Sequence, residues 1–404
     1  MKPIKPMPMA EFVAFLALMF ATVAYSIDSM LPLLVQMGEA LAPETPQSAQ
    51  LVITIFVMGL GLGTLVMGPI SDALGRKKLI LAGIALYMVA AVVAAMSESM
   101  TVLLAARFIQ GLGVSAPRVV SQALVRDLYT GRHMARIMSL AMMIFVLVPA
   151  VAPLLGATLG NLFGWRAIFW SFLVFGTVSA SWLYFRQPET LPPENRRTLE
   201  AGPVLRAFRE VFTHKQVMLY LIALTFSFAT MFIWLSSIAQ IFDEVFNKID
   251  EFPLWFALSA LMSAPGSLVN AQLVVRLGMR RLIVVSLIGQ LLVVAAALVL
   301  YTTLGELPFW AFFTFMFAHF FAVGLIFGNL NALALVPLGH VAGTASSVMG
   351  GVSTMVSAMV AAPIAALYNG TTLPLMGGVA LCNICALVAM AVARRWNSAE
   401  DTTS

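Results

Sequence analysis

Four ionisable side chains stand inside long apolar runs, where a charge is costly and usually functional. Asp28 lies in Tyr25-Ser26-Ile27-Asp28-Ser29-Met30-Leu31-Pro32, and no other carboxylate lies as deep in such a run. A lone buried carboxyl is the simplest proton carrier: neutral when protonated, an anion able to hold a cationic or polar molecule when not. Arg107, in Arg107-Phe108-Ile109-Gln110-Gly111, carries a planar fork of five donors. It could line a cavity, pair with a carboxylate, or snorkel to the nearer membrane surface. Arg118 lies eleven residues on, which returns it to the same helical face about 16 Å along the axis. His319 is the remaining member. An imidazole changes charge near neutral pH in water, which suits proton transfer, but a histidine that only bonds a neighbouring helix fits the same position.

The elements that must position these groups follow from composition. The 404 residues are 61% hydrophobic and 10% charged, against roughly 45–50% and 25% in soluble domains. A water-soluble fold is thereby excluded, and so is disorder, which needs the opposite balance. About 20 apolar residues cross a bilayer, and twelve stretches qualify: 11 to 36, 48 to 71, 79 to 97, 101 to 124, 136 to 160, 165 to 186, then 215 to 240, 253 to 275, 281 to 302, 307 to 333, 341 to 367 and 372 to 393. The first run follows Lys2 and Lys5 as a secretory signal would, but it continues past any small-residue cleavage site, so it reads as a retained span. Gln187 to His214 is polar, with Pro188, Pro192, Pro193 and Pro203, and separates six spans from six. The expected organisation is a six-helix half over 1–186, a linker over 187–214, a second half over 215–396 and a tail over 397–404.

Charge sets the expected orientation. With the N-terminus cytoplasmic, the 23 Lys and Arg residues fall on that side or within the fourth span, except Arg166 and Lys248. The net charge of +5 is then a topology signal, and nucleic acid need not be invoked. Leu74-Gly75-Arg76-Lys77-Lys78-Leu79-Ile80 recurs as Leu277-Gly278-Met279-Arg280-Arg281-Leu282-Ile283, half a chain later. Such repeats accompany transporters with a substrate site near mid-membrane. Cys382 and Cys385, one helical turn apart in an apolar run, lack the polar flanks of a metal or redox pair. No H-E-x-x-H, G-x-S-x-G or nucleotide loop occurs, which argues against an enzyme or an ATP-driven pump.

Gly68-Pro69-Ile70-Ser71-Asp72-Ala73-Leu74-Gly75-Arg76-Lys77-Lys78 resembles the signature loop between spans two and three of the major facilitator superfamily. The resemblance implies an all-α membrane fold of twelve helices in two pseudo-symmetric halves. It also implies that Gly68, Asp72, Gly75, Arg76 and, closing span four, Asp127 clamp the cytoplasmic face while the protein is open outward. Arg107 with Gln110 looks like the family's second motif, an intramembrane arginine. Pro149, Pro153, Gly156 and Gly160 in span five resemble the antiporter motif of its drug exporters, although prolines and glycines are also ordinary kink and packing residues. Asp28-x-x-Leu31-Pro32, Arg126-Asp127-Leu128-Tyr129 and the His340 to Gly350 segment are similar to the bicyclomycin-resistance and phenicol-exporter branch.

What the branch implies is proton-driven antiport of small amphipathic drug-like compounds by alternating access, from a multi-pass position in the bacterial cytoplasmic (inner) membrane with both termini cytoplasmic. Asp28 and Arg107 are then the expected coupling residues, at comparable depth, paired directly or through a cavity. Tyr25, Gln110, Arg118 and His319 are the expected substrate-facing groups, of which Arg118 rests on its helical spacing from Arg107 and His319 on its position within a span, not on the resemblance. A monomer driven by the proton gradient, without cofactor, is expected. A symporter or facilitator importing a metabolite on the same fold is the alternative, because fold alone does not assign direction.

Overall fold

The structure, a computed structural model, describes residues 7–145, 147–196 and 201–400. Lys2, Lys5 and the last four residues of the expected tail lie outside them. The described residues are helical, and the chain forms two compact units, Met1–Val204 and Leu205–Ser404. Twelve stretches are long and apolar enough to cross a membrane. In the first unit these spans are Met9–Leu41, Pro46–Leu74, Arg76–Ala95, Met100–Leu128, Arg136–Phe163 and Ala167–Arg186. In the second they are Lys215–Val245, Phe252–Leu277, Met279–Leu304, Phe309–Leu338, Gly343–Ala366 and Leu373–Arg394.

Each unit has its own apolar core. In the first, Phe12, Phe15 and Phe20 of span one pack with Ile80 and Ile84 of span three and Val120 and Leu124 of span four. In the second, Leu221 and Leu224 of span seven pack with Ile326 and Leu330 of span ten and Met390 of span twelve. Outward faces remain apolar, with Val89, Val174, Phe185, Leu292 and Val299 all exposed. In water such a surface would drive aggregation, but in lipid it meets hydrocarbon.

The repeated loop has one conformation in both units. Gly75 (φ 102°, ψ 154°) ends span two and opens span three, and Gly278 (φ 78°, ψ 151°) does the same between spans eight and nine. A positive φ at that junction is why glycine recurs there. The Gly75 N–H bonds the Ser71 carbonyl at 3.0 Å, and the Gly278 N–H bonds the Val274 carbonyl at 2.9 Å.

Several spans are not single helices. Span eight is built from Phe252–Ser263 and Pro265–Leu277, and the helices of span five end at Phe145 and resume at Val148. The stretch read as a linker carries a further helix, Ala201–Thr213. Phe208 and Val211 of that helix pack on the second unit's core, a helical spacing of apolar residues that the prolines and charges of the segment conceal.

Candidate functional site

Span one gives way at Asp28. Its helix runs Met9–Asp28, turns at Ser29 and Met30, passes through a 3-10 turn at Leu31–Leu33 and resumes as Leu34–Leu41. Pro32 is the cause: four residues after Asp28, it has no N–H for the Asp28 carbonyl and its ring crowds that carbonyl. The Ser29 N–H reaches back to the Tyr25 carbonyl and the Met30 N–H to the Ile27 carbonyl, both at 3.2 Å. Asp28 is therefore the last residue of a helix that stops inside the membrane, the broken-helix arrangement on which many transporters build binding sites. Its side chain is buried, and among the described residues nothing donates a hydrogen bond or an ion pair to its carboxyl.

The helix that packs on this break is the second half of span five. A Cβ added at Gly156 would fall on the Ser29 carbonyl, and one added at Gly160 would fall on the Leu33 side chain. Pro149 occupies the first turn of that helix, where its missing N–H costs nothing, and Pro153 is buried within it. The four antiporter-type residues thus belong to the segment that seats the Asp28 turn.

Arg107 is fully buried, so it does not snorkel. Its Nη2 donates to the Ser26 carbonyl at 3.0 Å, its Nη1 to Gln110 Oε1 at 2.9 Å and its Nε to the Val52 carbonyl at 3.3 Å. The guanidinium also lies 4.1 Å from the Phe56 ring centroid, a cation–π contact that gains strength where water is absent. Arg107 does not touch the Asp28 carboxyl. It holds the carbonyl two residues earlier and ties spans one, two and four around the turn.

Ser26 is the centre of this knot. Its Oγ donates to the Thr22 carbonyl at 2.6 Å and meets the Tyr87 hydroxyl of span three at 2.7 Å. Tyr25 faces span six, with its hydroxyl 2.8 Å from Ser171 Oγ and its ring stacked on Phe175 at 5.1 Å. Ser26, Tyr87, Val52 and Phe56 are absent from the sequence reading, because a hydroxyl, a ring or a backbone carbonyl in an apolar run gives no sign of what lies across the helix. Gln110 is buried with its Nε2 unpartnered. Arg118 is half-buried in the same helix, and among the described residues no hydrogen bond or ion pair holds it.

His319 belongs to the second unit and is described within it. The ring is 1% exposed, stacks on Trp234 at 5.7 Å, and has neither nitrogen in a hydrogen bond with a described residue. Among the described residues no interhelical hydrogen bond satisfies the ring.

At the far end of span two the loop charges converge. Arg76 is ion-paired to Asp72, its Nη1 donates to Ser71 Oγ at 2.5 Å and its Nε to Asp127 Oδ2 at 3.1 Å. Ser71 Oγ in turn donates to the Gly68 carbonyl at 2.8 Å. Glu189 adds a contact that the loop sequence does not announce. Its carboxylate accepts from the backbone N–H of Arg76 at 2.9 Å and of Lys77 at 3.1 Å, at the positive end of the span-three helix. Thr190 donates to Asp127 Oδ2 at 2.8 Å, so the segment leaving span six is fastened to the same cluster.

Comparison with known proteins gives the chain's relatives and its family. The chain is 29% identical over 382 residues, 94% of each protein, to a bicyclomycin resistance protein homolog of Haemophilus influenzae. It is 27% identical over 318 residues, 78% of each, to multidrug resistance protein D of Escherichia coli K12. The crystal structure of a D-xylose-proton symporter superposes with a TM-score of 0.75 at 14% identity, over 95% of this chain and 97% of that one, which is a likeness of fold. The family profile of the Major Facilitator Superfamily matches residues 13–363, and the chain belongs to that family.

Proposed function

We propose that this multi-pass membrane protein exports small amphipathic compounds in exchange for protons, with Asp28 as the proton-carrying group. The observation that carries the reading is the Asp28 carboxyl, buried without a partner among the described residues at the break of span one. The resistance proteins among its relatives support drug-like substrates. Broken backbone beside a lone carboxyl lets the acid change surroundings by a small rotation of the Ser29–Leu33 turn. A proton taken up from outside neutralises the carboxylate and releases a bound cationic or polar compound outward. Loss of that proton to the inside restores the anion for the next molecule. Arg107 acts on this cycle as a positioning residue, since its bond to the Ser26 carbonyl holds the helix end on which Asp28 is carried. By the distribution of Lys and Arg, both termini and the Asp72–Arg76–Asp127 cluster face the cytoplasm.

Direction is decided by flux in inside-out membrane vesicles. On acidifying the lumen by respiration, vesicles containing the protein should accumulate a lipophilic fluorescent cation faster than control vesicles, and collapse of the proton gradient should release it. Uptake driven the same way in right-side-out vesicles would indicate import and overturn the proposal.

A further inference from the structure

The second copy of the repeated loop differs from the first in its charges. In the first unit the arginine after the glycine is neutralised by Asp72 and Asp127. At the offset of the repeat, Val275 stands in place of Asp72, and it is 86% exposed. Met279 stands in place of Arg76, Arg280 and Arg281 stand in place of Lys77 and Lys78, and among the described residues neither arginine is in an ion pair. They border an open cavity of 1530 Å³ among the ends of spans seven, nine, ten and twelve. Arg394 and His214 lie on the same rim, and among the described residues no Asp or Glu lines it. Arg280 is held in place by a hydrogen bond to the Tyr220 hydroxyl.

Below the rim the walls are aliphatic. Val285 and Ile288 of span nine line the cavity and are exposed, and Leu292 continues their row along the helix, 66% exposed. On span twelve Ala391 lines the cavity, and Val388, Ile384 and Leu381 continue away from it on an exposed face. A cluster of cations therefore sits at the end of an apolar trough that runs along the outer face of two packed helices.

We propose that this trough is a binding site for an anionic phospholipid, its phosphate between Arg280 and Arg281 and an acyl chain along Val285, Ile288 and Leu292. The chemistry selects that occupant. The arginines supply bidentate phosphate donors, no acid among the described lining residues competes for them, and the trough needs a hydrocarbon chain that a soluble anion lacks. Basic pockets between membrane helices recognise acidic headgroups on these terms.

Native mass spectrometry of the full-length protein, released from detergent with added lipid, tests the site. Phosphatidylglycerol should be retained in preference to phosphatidylcholine of the same chain length. Arg280→Gln/Arg281→Gln should reduce that preference on the order of tenfold. Because Arg280 also bonds Tyr220, Arg281→Gln alone is a second variant, on an exposed side chain, and Ala391→Trp is a third that obstructs the trough without altering charge. Both should weaken retention. Equal retention of the two lipids, or an undiminished preference in a folded Arg281→Gln protein, would overturn the proposal. So would inorganic phosphate displacing the lipid at equal concentration, since the trough would then contribute nothing.

Discussion

Arg107 shows what an intramembrane charge does when no carboxylate answers it. Its three hydrogen bonds and the Phe56 face replace water around the guanidinium, with Ser26 in span one, Val52 and Phe56 in span two and Gln110 in its own span four. A lysine has the charge but not the fork, so it cannot keep all three. Arg107→Lys is expected to lose about 2–4 kcal/mol of stability, from hydrogen bonds to a charged group at roughly 1.5–3 kcal/mol each, partly regained by the ammonium. Thermal unfolding in detergent should show a lowered midpoint together with reduced transport. An unchanged midpoint and flux would mean that the knot around Ser26 is dispensable. The arginine itself was legible in the sequence as a costly charge in an apolar run. Of its partners only Gln110 stood beside it in the sequence; the others were hidden, because two are backbone carbonyls and one is a ring among 28 phenylalanines.

Among the elements, the turn in span one is seated on the second helix of span five, and the proposed function places its movement there. Gly156 leaves no room for a side chain beneath the Ser29 carbonyl. Gly156→Ala should push the two backbones apart at a cost of about 1–3 kcal/mol, the usual range for overpacking, and should lower transport more than expression. Gly289→Ala, with nothing within 4 Å of its added Cβ, is the control and should keep full activity, since alanine favours the helix by about 1 kcal/mol. Equal effects of the two substitutions, read as flux per folded protein, would remove the special role of the Gly156 contact. The turn was within reach of the sequence, since Asp28 and Pro32 stand four apart, the spacing at which proline costs a helix its hydrogen bond. The pairing of that turn with Gly156 was not, because helix-to-helix register depends on tertiary packing. The helix Ala201–Thr213 was missed for a related reason: prolines nearby dominate the composition while Phe208 and Val211 set the fold.

For the whole molecule, the bilayer made most of the architecture readable. A span must exceed a threshold of apolar length, and the twelve stretches found in the sequence correspond to the twelve in the structure. Their ends were less legible: the first span reaches Leu41 and the seventh Val245, beyond the apolar runs, because helices continue past hydrocarbon into polar surroundings. The repeated glycine turns were visible as a repeat, and their shared positive φ gives the physical reason for it. In the proposed mechanism transport couples a proton to a substrate, and Asp28 is the group proposed to carry that proton. Proteoliposomes with an imposed pH gradient, acidic on the side facing the outer surface of the protein, measure that coupling directly. Wild type should move substrate uphill with a matching proton flux, while Asp28→Asn, of the same shape but permanently neutral, should show downhill flux or none at matched protein levels. Uphill transport by Asp28→Asn at the wild-type rate, with protons still exchanged, would contradict the account.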